Sequence, residues 1–122
     1  MAGETAAHHD RDKVYQERFD RQLRAHLRTL ITPALIEEYR ASPLGQHSDD
    51  LERVLNYFRR GPFEGKYVLF ELEANRKYKI VTTTAQEGGL PRDVDGTIYT
   101  DKNEALHAVF LKRVDALLAS GA

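Results

Sequence analysis

From Asp10 onward apolar residues recur close to every fourth position: Tyr15, Phe19, Leu23, Leu27 and Leu30, with Val14 and His26 beside them. That spacing lays one apolar stripe along a helix. The remaining faces carry Arg11, Lys13, Glu17, Arg18, Asp20, Arg21, Arg24 and Arg28. Thr32-Pro33 restarts the chain, because Thr caps a helix and Pro suits a first position whose N–H has no partner anyway. Leu35, Ile36 and Tyr39 give this second helix its contacts, and Ser42-Pro43 ends it, since a residue before Pro avoids the helical region. Ser48 caps a third helix, with Asp49 and Asp50 at the positive end of its dipole. Leu51, Val54, Leu55 and Phe58 form its apolar side, and Gly61-Pro62 stops it.

The period then falls to two. Tyr67-Val68-Leu69-Phe70-Glu71-Leu72 and Arg76-Lys77-Tyr78-Lys79-Ile80-Val81-Thr82 flank a short polar loop. A two-residue turn at Ala74-Asn75 would set Phe70 opposite Lys79. A three-residue loop from Glu73 to Asn75 sets Phe70 opposite Tyr78, Val68 opposite Ile80 and Glu71 opposite Lys77. The second register keeps apolar with apolar and pairs the charges, so it is the one expected, with Asn75 in the left-handed region. A loop from Gln86 to Pro91 and a turn at Asp95-Gly96 lead to Thr97-Ile98-Tyr99, a candidate edge strand. Asp101 and Glu104 have capping-box spacing at the start of a last helix, with Thr100 as an alternative cap. Leu106, Val109, Phe110, Arg113, Val114 and Leu117 line its core side, and Ser120-Gly121 ends it.

Strands grouped together, not alternating with helices, predict an α+β fold. It has three N-terminal helices, a small antiparallel sheet of two or three strands, and one C-terminal helix that covers the sheet. Residues 1–10 are small, polar and without periodicity, and are expected to form a disordered lead. Residues 11–122 make one domain, the single core that a chain of 122 residues can bury.

Charge narrows the partners. Lys plus Arg is 18 and Asp plus Glu is 19, a net charge of −1, which argues against a polyanion binder, so no nucleic acid is expected. No apolar run approaches the roughly 20 residues of a membrane span, and the first residues lack a basic start and an apolar stretch, so neither membrane nor signal peptide is expected. The absence of Cys removes disulfides and thiolate chemistry and suits a cytoplasmic location.

Candidate chemistry is sparse. His8 and His9 fall in the lead. His26 adjoins the apolar stripe and is read as a hydrogen-bonded, partly buried side chain. His47 precedes a helix cap, and His107 lies beside Leu106. No HxxxH, HExxH or HxxE spacing occurs, so the usual metal scaffolds are missing. Ser42, Ser48 and Ser120 each have a structural role, and no GxSxG elbow is present. A general-base mechanism that uses a carboxylate stays open. The glycines of Gly61-Pro62-Phe63-Glu64-Gly65-Lys66 and Gly88-Gly89 do not match a phosphate loop leading into a helix, and a tight turn feeding the first strand explains the former. Arg21, Arg24 and Arg28 share one helical face, and Arg59-Arg60 ends another helix. Both sets read first as solvated, and their functional use would be a protein partner's carboxylates. Tyr57 and Phe58 are adjacent and face different ways. Val109, Phe110, Leu111 and Val114 are wider than one stripe, so either the chain's own core or another chain covers the excess.

The run Leu51-Glu52-Arg53-Val54-Leu55-Asn56-Tyr57-Phe58-Arg59, then Gly65-Lys66-Tyr67, resembles the small subunit of N,N-dimethylformamidase. Ala105-Leu106-His107-Ala108-Val109-Phe110-Leu111-Lys112-Arg113-Val114 resembles it too, with the hairpin between the blocks in the matching order. The resemblance covers roughly residues 10 to 118. It implies a subunit of an enzyme that hydrolyses N-substituted formamides to formate and an amine. That enzyme is assembled from αβ pairs in a larger oligomer, with its iron held by Tyr and Glu side chains of the large catalytic subunit. No catalytic, cofactor-binding or metal position is carried over to this chain. The interface expected with the large subunit comprises Tyr57, Arg59 and Arg60 on the third helix and the outer face of the last helix around Leu111. The chain alone should then be poorly soluble or self-associate. A stand-alone binding module, and a small enzyme using His26 or His107 with a carboxylate, are the competing readings.

Overall fold

A computed structural model describes residues 2–60, 66–83 and 90–120, with side chains from residue 13 onward. The first helix, α1, spans Ala2–Leu30. This helix takes in residues 2–10, where Ala2, Glu4, Ala6 and Ala7 are strong helix formers and Gly3, Thr5, His8, His9 and Asp10 are weaker ones. At 1.5 Å per residue α1 is about 43 Å long, whereas a compact body of this chain length is about 35 Å across. One end of α1 therefore outruns the body it belongs to.

The second helix, α2, spans Pro33–Ala41, and Thr32 caps it by accepting the Leu35 N–H at 3.1 Å. The third, α3, spans Asp49–Arg60, and the Ser48 hydroxyl accepts the Leu51 N–H at 3.4 Å. Ser48 also ties the two helices together. Its N–H and hydroxyl donate to the two carboxylate oxygens of Glu38 at 2.6 and 2.7 Å. Those bonds hold the Glu38 carboxyl below the usual carboxylate range. His47 closes the intervening loop, with Nε2 at 2.6 Å from the Ser42 carbonyl oxygen and its ring 5.9 Å from that of Tyr39.

Strands β1 (Tyr67–Glu73), β2 (Lys77–Thr82) and β3 (Arg92–Asp93) form an antiparallel sheet in that order. The observed register pairs Phe70 with Lys79, Val68 with Val81 and Glu71 with Tyr78, so the expected Phe70–Tyr78 pairing is wrong. The loop is residues 74–76, one residue later than expected, which alone would set Phe70 opposite Ile80. A bulge at Leu72 takes one position back and leaves the register of the two-residue turn. Asn75 does adopt the left-handed conformation, with φ 60°. On the outer face the Lys79 ammonium sits 5.7 Å from the centroid of the exposed Phe70 ring. The third strand is Arg92–Asp93 and not Thr97–Tyr99, of which only Tyr99 pairs, through a bridge to Tyr78. The turn at Asp95-Gly96 is present: Gly96 has φ 74°, and the Asp95 carboxylate accepts the Thr97 N–H at 3.0 Å.

The last helix, α4, spans Lys102–Ala119, and Asp101 caps it through the Asn103 N–H at 3.0 Å. It touches β1 and β2 as well as α1 and α2, so it lies between the sheet and the helical layer. The main core joins Leu27 of α1, Leu35 and Tyr39 of α2, Leu51, Val54, Leu55 and Phe58 of α3, and Phe110, Val114 and Leu117 of α4. At its centre Phe110 stacks on Tyr39 (centroids 4.2 Å apart, 20° between planes) and meets Phe58 edge-on at 6.0 Å. Arg113 fastens the sheet side: its Nε and Nη2 donate to the Tyr67 carbonyl oxygen at 3.0 and 2.6 Å. The broad apolar surface of α4 is thus used within the chain, one side on helices and the other on the sheet.

Candidate functional site

The apolar stripe of α1 has two fates. Leu27 is buried at 1% exposure, and Leu23 and Leu30 pack against the core. Further towards the N-terminus Phe19 is 64% exposed and Tyr15 61% exposed, with Val14 exposed beside them. α3 and α4 make the main contacts with α1, and they leave the outer half of the stripe exposed at Val14, Tyr15 and Phe19.

Where the covered half gives way to the bare half, a groove of about 580 Å³ opens between α1 and α3. Phe19, Leu23 and Tyr57 form its apolar lining, and Arg24, Arg53 and Arg60 stand on its walls with Asp20. Tyr57 packs partly on the core and lies edge-on to Phe58, with ring centroids 6.1 Å apart. Arg24, Arg53 and Arg60 form no ion pair with any described residue.

Of the four residues expected at an interface, Tyr57 and Arg60 meet in this groove. Arg59 turns back onto its own helix, donating to the Asn56 side-chain oxygen at 2.9 Å and lying 3.9 Å from a Glu52 oxygen. Leu111 is half-buried in a different cleft, with Arg40, Tyr99, Asp101, Glu104 and His107. Sequence reasoning missed Arg53, although its spacing of four and seven from Tyr57 and Arg60 puts all three on one face of α3. It also assigned Phe19 wholly to the core stripe.

The histidines do not converge on a reactive centre. His26, expected to be partly buried and bonded, is exposed on the groove wall and its ring has no hydrogen bond to a described residue. His107 has a buried Nδ1 without a hydrogen-bond partner among the described residues. Burial, reinforced by the nearby Arg40 guanidinium, pushes its pKa down. Glu37 beside it is held by Arg40 through bonds of 2.8 and 2.7 Å, which lower the carboxyl's pKa. Among the described residues no group of three or more His, Asp or Glu side chains is placed to hold a metal ion. No helix there is long and apolar enough to cross a membrane. His8 and His9 lie outside the residues whose side chains are described. Gly61, Pro62, Phe63, Gly88, Gly89 and Gly121 lie outside the described residues altogether.

The sequence model for the N,N-dimethylformamidase alpha subunit matches residues 14–122. The chain belongs to the N,N-dimethylformamidase alpha subunit family. It is 36% identical over 115 residues to the N,N-dimethylformamidase alpha subunit of Paracoccus aminophilus, covering 90% of this chain and 80% of that one. It is 35% identical over 115 residues to the alpha subunit of the same name from an Alcaligenes species, covering 90% of this chain and 86% of that one. The match to this family begins at Val14, so it takes in Tyr15 and Phe19 and leaves out the first turns of α1.

Proposed function

We propose that this chain is the small, non-catalytic subunit of a hetero-oligomeric amidohydrolase resembling N,N-dimethylformamidase, which converts an N-substituted formamide and water to formate and an amine. Bond breaking and iron belong to a large partner subunit. Among the described residues no three His, Asp or Glu side chains come together as ligands for it here. The chain's part is to brace the large subunit and its assembly into αβ pairs of a larger oligomer, in the cytoplasm.

The observation that carries this reading is the bare half of the α1 stripe, with Phe19 at 64% exposure running into a groove lined by Tyr57 and arginines. Aromatic and Arg side chains are enriched where proteins meet, and obligate interfaces are large and apolar, often above roughly 2,000 Å². Two relatives named alpha subunits of the amidase support the same assignment.

The test is to express this chain with its large subunit, and each alone, and to assay formate release from N,N-dimethylformamide. Hydrolysis is expected from the purified complex. This chain alone should release no formate, and the large subunit alone should be less stable or less soluble than in the complex. Hydrolysis by this chain alone, or failure of the two chains to co-purify, would overturn the assignment.

A further inference from the structure

Resting on that subunit reading, we infer that the groove between α1 and α3 is the seat of an acidic amphipathic helix from the large subunit. Its apolar face lies on Phe19, Leu23 and Tyr57, and its carboxylates pair with Arg24, Arg53 and Arg60.

Charge complementarity sets the chemistry of the occupant. Over the whole chain basic and acidic residues nearly cancel, 18 against 19. On the groove walls three arginines face one aspartate, Asp20. None of the three arginines has a carboxylate partner among the described residues, whereas Arg40 and Arg59 outside the groove are each bonded within their own helix. A guanidinium that loses water at an interface needs a carboxylate to replace it, and its planar fork suits a bidentate pair. The apolar floor between the arginines calls for apolar side chains on the same segment. A helix meets both demands because residues three and four apart share a face. Beyond the groove, Tyr15 and Val14 are exposed further along the same helix. The occupant therefore runs along α1 and past the end of the body.

The test uses the co-expressed complex. Arg53 and Arg60 are exposed, so R53E/R60E leaves the fold intact, and the far-UV circular dichroism and melting of the complex check this. R53Q/R60Q removes the charge without reversing it, and R76E in the hairpin loop serves as a charge control away from the groove. Subunit dissociation is measured by sedimentation at roughly 50 mM and 500 mM NaCl. Charge reversal is expected to weaken association about tenfold or more at low salt, with the glutamine pair in between and R76E unchanged. The wild-type complex should loosen as salt rises, and R53E/R60E should lose most of that dependence. A complex that forms normally with R53E/R60E overturns the inference and leaves the subunit reading standing. A wild-type chain that never joins the large subunit overturns both. A stable self-dimer of this chain that R53E/R60E dissolves, with the large subunit still bound, would make a second copy the occupant and overturn the acidic-helix assignment.

Discussion

Leu27→Ala and Phe19→Ala lie about two helical turns apart on one stripe of α1, and the structure gives them opposite consequences. Leu27 is 1% exposed and joins the main core, so its truncation removes buried methyl groups and leaves a cavity. Such changes cost about 2–5 kcal/mol, which for a chain of this size lowers the melting point by roughly 10–20 °C. Phe19 is 64% exposed, so only about a third of it rests on its own chain. Full burial of a Phe is worth about 1.5–3 kcal/mol, so the fold loses at most about 1 kcal/mol. The better helix propensity of Ala returns about half of that, and the melting point should move by less than about 3 °C. The remaining two thirds of the ring is the area a partner buries, about 1–2 kcal/mol or a 5- to 30-fold weaker complex. Thermal circular dichroism of the dilute chain reads the first quantity, and titration with the large subunit reads the second. Equal destabilisation by the two variants would show that Phe19 is covered by its own chain. Unchanged association with Phe19→Ala would show that the outer stripe is ordinary solvated surface.

Three other outcomes follow from single side chains. Arg113→Met removes both donors to the Tyr67 carbonyl, and charge-assisted bonds of this kind are worth about 1.5–3 kcal/mol, partly offset by the burial cost of the guanidinium; urea unfolding should show a loss of roughly 1–2 kcal/mol, and an unchanged midpoint would show that α4 holds the sheet without it. Glu38 has its pKa lowered by Ser48, so the stability it lends is full above the ordinary carboxylate range and is lost as pH falls through the lower folded value. Glu38→Gln should therefore flatten the decline of the melting point between about pH 6 and pH 3, and an identical decline would refute the link. The His107 pKa is lowered by burial, so the folded state binds a proton less readily than the unfolded chain; stability is full above about pH 6.5 and falls as pH drops through that value. His107→Gln should remove that part of the slope between about pH 7 and pH 5 in melting curves.

The helices were legible where local chemistry marks an end. Thr32, Ser48 and Asp101 each cap as their side chains dictate, and the Asn75 and Asp95-Gly96 turns follow from residue type alone. The start of α1 was not, because alanines without a cap give no boundary signal. The hairpin register failed for a related reason: the loop falls one residue later than charge pairing suggests, and a bulge at Leu72 adds a residue that no pairing rule can count from the sequence. At two residues, β3 is too short to show any period. For the groove, the apolar stripe and both sets of arginines were visible, but as separate features of two helices. Only the packing of α1 on α3 brings Arg24 beside Arg60, and only the short reach of the body leaves Phe19 bare.

That short reach traces back to α4. It accepts the apolar faces of α1 and α2 on one side and of β1 and β2 on the other, and its aromatic residue Phe110 closes the joint between α2 and α3. A single central helix of 18 residues, about 27 Å long, sets the width of everything packed on it. With 29 residues, α1 overruns that width, and the excess carries Tyr15 and Phe19, which no other element covers among the described residues. In a free-standing domain that overrun would be an uncovered patch inviting aggregation. In a subunit it separates two jobs along one helix: residues from Leu23 to Leu30 hold the chain together, and those before them are left to hold it to something else. Folding and assembly can then be perturbed independently by substitutions on the same stripe.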